Sequence, residues 1–332
     1  MTPLVRDTPA PPGRPLPATA PRAAVGAAPP TIGAAPPAVP AIAGAASLAL
    51  RPLLEPPRRP ARVAAVFPSA VLVEARGGPE PRVLALVASD AGRPPNAVVI
   101  AAPRRDRPFQ DVREGADAAL GEGRADIGGL HVRIRRWWDP RPALGPLPPA
   151  VLARGVRALE TALTAAGMTG GGLAGHPDPL LLADRCAAGD LAGAVEAAER
   201  IVGLGPGLTP SGDDVLAGLL LALRHVGGAV RGGGDTARWL ADWLGAAVTA
   251  DAGTRTTAPA ATLLHCAAAG GAGAEVAAVL RGVAGSEAPS AAARRLLAVG
   301  RTSGADLAWG VLAGCRAALA LARRPGAGRV PA

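Results

Sequence analysis

The sequence predicts an α+β chain in which a small N-terminal antiparallel β domain precedes a mainly α-helical domain. Three observations lead there. Residues 1–61 are rich in Pro and Ala, with APP, PPG and PPAVP clusters and few large apolar side chains. From Arg62 to about residue 145 the apolar period is two, and from 146 to 324 it lengthens to that of helices. Glycine and proline clusters punctuate every change of period.

The first segment buries too little apolar surface to offset its ordering entropy and reads as a disordered tail, with room for a short helix from Ala41 to Leu54. In the β domain, 62–145, strands are expected at Arg62–Glu74, Arg82–Ala88, Ala97–Ala101 and Ile127–Trp138, separated by GG, PP and GR turns. In the last strand Leu130, Val132 and Ile134 alternate with His131, Arg133 and Arg135, so one face is apolar and one basic. Trp137 and Trp138 are expected to close the domain against the helices. After Pro148-Pro149 the stripe Val151, Leu152, Val156, Leu159, Leu163 marks a core-facing helix. Short helices follow near 179–187 and 190–202. Asp235 opens a helix with Trp239 and Trp243 on its core side. Further helices are expected after the 251–259 loop, near 274–284 and near 289–299, and a last one runs to Arg323. Residues 325–332 read as a flexible end.

Composition narrows the chemistry. The chain has no lysine and no tyrosine, so an internal Schiff base is excluded. Its formal net charge is +9. Residues 1–62 contribute seven arginines against Asp7 and Glu55, which assigns most of the excess to the tail and argues against a nucleic-acid surface. Cys186, Cys266 and Cys315 lie far apart in apolar contexts, as buried thiols in a reducing cytoplasm would. No Cys/His spacing suits zinc, no apolar run reaches membrane-spanning length, and no signal peptide is expected.

The chemistry concentrates in Ile201–Val226, where Gly205, Gly207, Thr209, Ser211 and Gly212 lead into Asp213-Asp214 and an apolar helix. Thr209 or Ser211 can cap that helix, and Ser211 with Asp214 fits a capping box. The remaining free amides and the positive dipole end would seat an anion. Neither nucleotide motif applies: a P-loop needs lysine, and the dinucleotide fingerprint would put Leu208 or Pro210 at its third glycine. The pattern S-G-x-D-x-x-x-G of Ser211–Gly218 recurs as Ser303–Gly310, including Ser303, Gly304 and Asp306. Each interior glycine costs about 1 kcal/mol against alanine, so Gly218 and Gly310 are expected where another backbone comes close. The two helix starts are read as halves of one site. Arg255, with Thr256 and Thr257, is a candidate anion clamp, and its alternative is an ordinary turn with capping threonines. His265, on an apolar helix, is read as structural.

The blocks GLGPGLTPSGDDVLAG (203–218), TTAPAATLLHCAAAG (256–270) and LLAVGRTSGADLAWG (296–310) together resemble a bacterial family typified by the AllH subunit of oxamate carbamoyltransferase. The resemblance covers roughly residues 62–322. Where the family has a serine after the threonine pair, this chain has Ala258-Pro259-Ala260. The resemblance implies carbamoyl transfer among oxamate, carbamoyl phosphate and oxalurate in allantoin breakdown, with FdrA-like and AllG-like partner subunits and a small anionic substrate. The resemblance does not assign the catalytic groups to a subunit; the residues themselves offer Asp213, Asp214 and Asp306 as catalytic carboxylates, with Gly205, Gly207, Thr209, Ser211, Gly212, Arg255, Thr256, Thr257, Ser303 and Gly304 on substrate and phosphate. Two roles stay open for Asp213 and Asp214: holding a Mg²⁺ that bridges to phosphate, or accepting hydrogen bonds from substrate NH₂ groups with one acting as base.

Overall fold

The computed structural model describes residues 41–167 and 171–323. The expectations for the first forty residues and for the C-terminal end lie outside the described residues.

The N-terminal half is not a small antiparallel domain. It is a closed eight-strand mixed barrel in the order β1-β5-β4-β3-β2-β6-β7-β8, closed by β8 on β1. Its strands are β1 (Ile42–Ser47), β2 (Arg59–Phe67), β3 (Ala70–Ala75), β4 (Val83–Val87), β5 (Ala97–Ile100), β6 (Asp117–Gly121), β7 (Arg124–Ile127) and β8 (Leu130–Trp138). The β1–β8 and β4–β5 pairs are parallel and the others antiparallel. Closure removes the sheet edges that a small open sheet would expose.

The barrel begins at Ile42, inside the segment assigned to the tail. Where a helix is expected at Ala41–Leu54, the chain forms β1, a 3-10 turn at Leu48–Leu50 and α1 (Arg51–Leu54). Gly44 is what lets β1 close the barrel. A Cβ there would lie 2.9 Å from Val132 and 3.0 Å from Val98 on the flanking strands β8 and β5. Arg62–Glu74, read as one strand, is the hairpin β2–β3 turning at Pro68-Ser69. Leu84, Leu86, Val98, Leu120, Ile127 and Val132 fill the interior.

The charge distribution also differs from the tail assignment. Arg51, Arg58, Arg59 and Arg62 belong to the barrel. Residues 41–138 carry fifteen arginines against ten acidic side chains, whereas residues 139–323 carry fifteen of each. Arg133 and Arg135 are exposed on the outer face of β8.

The helical region comprises α2 (Pro149–Ala165), α3 (Pro177–Ala188), α4 (Leu191–Ile201), α5 (Ser211–Ala222), α6 (Gly234–Thr249), α7 (Ala252–Arg255), α8 (Ala258–Ala268), α9 (Ala274–Val283), α10 (Pro289–Leu297) and α11 (Ser303–Ala322). Every residue of α5 is buried, and a π-helical segment, Leu223–Gly227, prolongs it. The other helices wrap α5 and α11 in one apolar cluster. Helix α11 is long and apolar enough to cross a membrane, yet 67 % of its most apolar window is buried within the fold, as in a core helix. Trp239 packs on the core, but Trp243, also expected there, is 57 % exposed. The three cysteines are buried and free.

The barrel docks on the helices through α8. Buried Thr262 accepts from the Val83 amide at 3.1 Å and donates to Glu80 at 2.8 Å. Arg82 holds the other Glu80 oxygen at 2.7 Å.

Candidate functional site

The two S-G-x-D helix starts meet. A Cβ on Gly218 would lie 2.3 Å from the Leu307 carbonyl and 2.9 Å from the Val311 nitrogen. A Cβ on Gly310 would lie 2.1 Å from the Val215 carbonyl and 3.0 Å from the Leu219 nitrogen. With Ser211 matched to Ser303, Val215 falls on Leu307, Gly218 on Gly310 and Leu219 on Val311. The two contacts are therefore the same contact seen from either helix, and α5 and α11 are related by a local pseudo-twofold. The helices run parallel, because Gly310 meets Val215 and Leu219 while Gly314 meets Leu219 and Ala222. Both N-termini thus lie at one end.

The repetition extends back to the preceding helices. Gly212 presses on the last carbonyl of α4, where a Cβ would sit 1.8 Å from Ile201 O. Gly304 does the same on α10, 2.0 Å from Leu296 O. The Gly212 amide donates to Leu204 O at 2.9 Å and the Gly304 amide to Val299 O at 3.0 Å.

This contact changes the expected capping. Pro210 and Thr302 are the N-caps, and neither supplies a side-chain cap bond. The amides of Asp213 and Asp214 donate to Pro210 O at 3.0 and 3.2 Å, and those of Ala305 and Asp306 to Thr302 O at 2.8 and 2.9 Å. The first-turn amides expected to seat an anion are thus spent on the chain's own carbonyls. Those of Gly205 and Gly207 differ. Their loop is exposed, both have positive φ (119° and 97°), and no hydrogen bond among the described residues engages their N–H groups.

Because the backbone caps itself, the serine hydroxyls work across the helix pair. The Ser303 hydroxyl favours the charged form of Asp214, and the Ser211 hydroxyl that of Asp306. Thr209 Oγ1 lies 2.9 Å from Ser303 Oγ. Asp214 is 5 % exposed and Asp306 0 %, and Oδ2 of each has no hydrogen-bond partner. Burial pushes Asp214 up to about 7, the negative charges of Asp306 and Asp213 add to the rise, and the Ser303 and Thr209 hydroxyls oppose it. Burial also raises Asp306, against the Ser211 and Thr302 hydroxyls and the Gly172 amide. Two coupled carboxyls with raised pKa values favour retention of a proton between them.

Asp213 does not join this pair. Its Oδ1 accepts from the Gly203 amide at 2.9 Å and its Oδ2 from the Thr256 hydroxyl, so both of its oxygens are engaged within the chain. Burial raises Asp213, and Thr256, Gly203 and Arg255 oppose the rise. Among the described residues no group of three or more His, Cys, Asp or Glu side chains gathers to hold a metal. The expected clamp, Arg255, instead donates to Glu199 O at the end of α4 and pairs with Asp251 at 3.5 Å. Thr257 caps α8 and donates to Leu208 O at 2.5 Å. This block braces the glycine loop.

A component absent from the sequence reading is the pair Gly171-Gly172. The Gly172 amide donates to Asp306 Oδ1 at 2.7 Å. A Cβ on Gly171 would fall 1.6 Å from that oxygen, and one on Gly172 would fall 2.1 Å from Ser211 Oγ. Beyond the pair lies a cavity of about 90 Å³ whose wall includes His176, Leu180, Asp306 and Trp309. The glycine run was the only signal for this strand of backbone, and its partner is far away in sequence.

A family model described as oxamate carbamoyltransferase subunit AllH matches residues 201–315. No curated protein and no solved structure matches the chain. The matched span contains both helix starts, their serines and aspartates, and the bracing threonines. Residues 201–315, about a third of the chain, are thus similar to the AllH family of oxamate carbamoyltransferase subunits, and both helix starts lie within the matched span.

Proposed function

We propose that the chain is a subunit of an oxamate carbamoyltransferase-like enzyme of allantoin breakdown, acting with FdrA-like and AllG-like partners. In that reaction the oxamate nitrogen attacks the carbamoyl carbon of carbamoyl phosphate. A C–N bond forms, the C–O bond to phosphate breaks, and the proton leaving nitrogen ends on phosphate, giving oxalurate. The observation that carries this reading is the buried Asp214–Asp306 pair, each with an unpartnered oxygen, inside the family-matched segment. Carboxyls accept from substrate N–H groups, and one near pH 7 is suited to take the nitrogen's proton. The exposed Gly205–Leu208 loop, with its open amides, is the place for the anionic end of a substrate. Arg255 is committed elsewhere, so counter-charge for phosphate would come from a partner subunit.

That commitment also favours a second reading, a small-anion-binding or assembly subunit without chemistry of its own. Oxalurate phosphorolysis by the reconstituted complex separates the two. Asp214→Asn should abolish turnover while circular dichroism stays unchanged, and unchanged turnover overturns the catalytic reading.

A further inference from the structure

The outer face of β8 carries positive charge that the barrel does not neutralise. Val132, Ile134 and Trp137 belong to the interior cluster, so Arg133 points outward. The pairing with β1 then skips one residue, with Gly44 opposite Ile134 and Ala45 opposite Arg136. This bulge sets Arg135 and Arg136 side by side between two inward side chains, and both are exposed. On the β7 side Arg133 pairs directly with Arg124, which is exposed as well. Like charges opposite one another on a ladder are unfavourable. Strand geometry spaces the four side chains roughly 5 Å across the sheet and 7 Å along it. Among the described residues Arg124, Arg133, Arg135 and Arg136 make no ion pair and no side-chain hydrogen bond. Asp126, the acid on the same face of β7, is taken by Arg58 and His131. On the β1 side the outward residues are Ala43 and Ala45, which leave the patch flat and open.

We infer that these four arginines form the docking surface for an acidic face of a partner subunit. Carboxylates accept from guanidinium groups two bonds at a time, and a carboxylate-bearing surface would relieve the repulsion between neighbouring arginines. The excess charge is local, since the barrel carries fifteen arginines against ten acids while residues 139–323 balance fifteen with fifteen. Other occupants fit less well. Single-stranded nucleic acid binds where aromatic rings stand beside the cations, and the rings of β8, Trp137 and Trp138, pack against the two barrel clusters instead. A membrane surface calls for large apolar side chains to insert, and the neighbours here are alanines. A second copy in a twofold contact would bring the same arginines against one another. This surface goes beyond the carbamoyltransferase reading and takes from it only the identity of the subunits used as probes.

Biolayer interferometry of the full chain against the FdrA-like and the AllG-like subunit, at low and high salt, reads this directly. One of the two should associate with the wild type at least about tenfold faster at the lower salt, where screening is weaker. Arg133→Glu with Arg136→Glu should slow association at low salt by at least about tenfold and remove most of the salt dependence. Arg124→Gln with Arg135→Gln, which removes charge without adding any, should slow it in the same direction. Arg154→Glu with Arg294→Glu makes the same change in net charge at exposed positions on α2 and α10, and should stay within about twofold of wild type. Association that ignores the β7–β8 arginines, a control pair slowed as much as they are, or failure of the wild type to bind either subunit overturns the surface. So does arginine-dependent binding of single-stranded DNA or phosphatidylserine vesicles that is tighter than that of the subunits. A complex that assembles through these arginines without oxalurate phosphorolysis refutes the transferase reading and spares the surface. One that turns over while assembling without them does the reverse.

Discussion

Replacing Gly310 by alanine tests the helix pairing on which the site depends. In an isolated helix the change would stabilise by about 1 kcal/mol. Here the new methyl would lie 2.1 Å from the Val215 carbonyl and 3.0 Å from the Leu219 nitrogen. Both are backbone atoms of a fully buried helix and cannot swing aside. The helices must part by roughly 1 Å, and a gap of that size forfeits a quarter to a half of the contact energy along the seam. Overpacking of this kind costs about 1–3 kcal/mol, occasionally more, and outweighs the propensity gain. We expect a net loss of about 2 kcal/mol, or a melting temperature lower by roughly 4–8 °C. Gly145→Ala is the control, because its Cβ meets nothing within 4 Å. Thermal unfolding followed by circular dichroism gives both values. If Gly310→Ala melts with or above Gly145→Ala, the close parallel seam is wrong.

Stability should depend on pH through Asp214. Its folded pKa is raised from 3.8 to about 7, so its contribution is full below the unfolded value and is lost as pH rises through 7, by no more than about 4 kcal/mol. Asp214→Asn should flatten denaturant midpoints between those limits, and an unchanged slope would argue against the burial. Ser303→Ala removes a hydroxyl that lowers Asp214, so the carboxyl should titrate higher still by ¹³C NMR, and a downward move contradicts the assignment. Arg255→Ala should cost no more than about 1 kcal/mol, because the Glu199 carbonyl it frees is exposed and water replaces the donor, while oxamate affinity stays within about twofold. A large affinity loss would restore Arg255 as a ligand clamp.

The sequence shows the helix pair because close backbone contact leaves a residue-type signature. Gly212, Gly218, Gly304 and Gly310 stand where a Cβ would strike another helix, and their equal spacing in two segments follows from the pseudo-twofold. Capping departs from the expected pattern for the same reason. Gly212 brings Leu204 O to its own amide, the backbone caps itself, and Ser211 is released to reach Asp306. Barrel closure has no comparable local mark. β1 pairs with β8 far along the chain (Ile42 with Val132), and Ile42–Ser47 is too short and too rich in alanine and glycine to signal a strand. Arg255 resembles an anion clamp in sequence. Only the fold shows that the end of α4 lies within its reach.

The most direct measurement is ¹³C NMR titration of the Asp214 and Asp306 carboxyl carbons in the wild type and in each single Asn variant. Two helix starts joined in one buried site require Asp214 to titrate near 7 and to move down when Asp306 becomes Asn. An Asp214 that titrates near 4, indifferent to the residue at 306, would contradict the account.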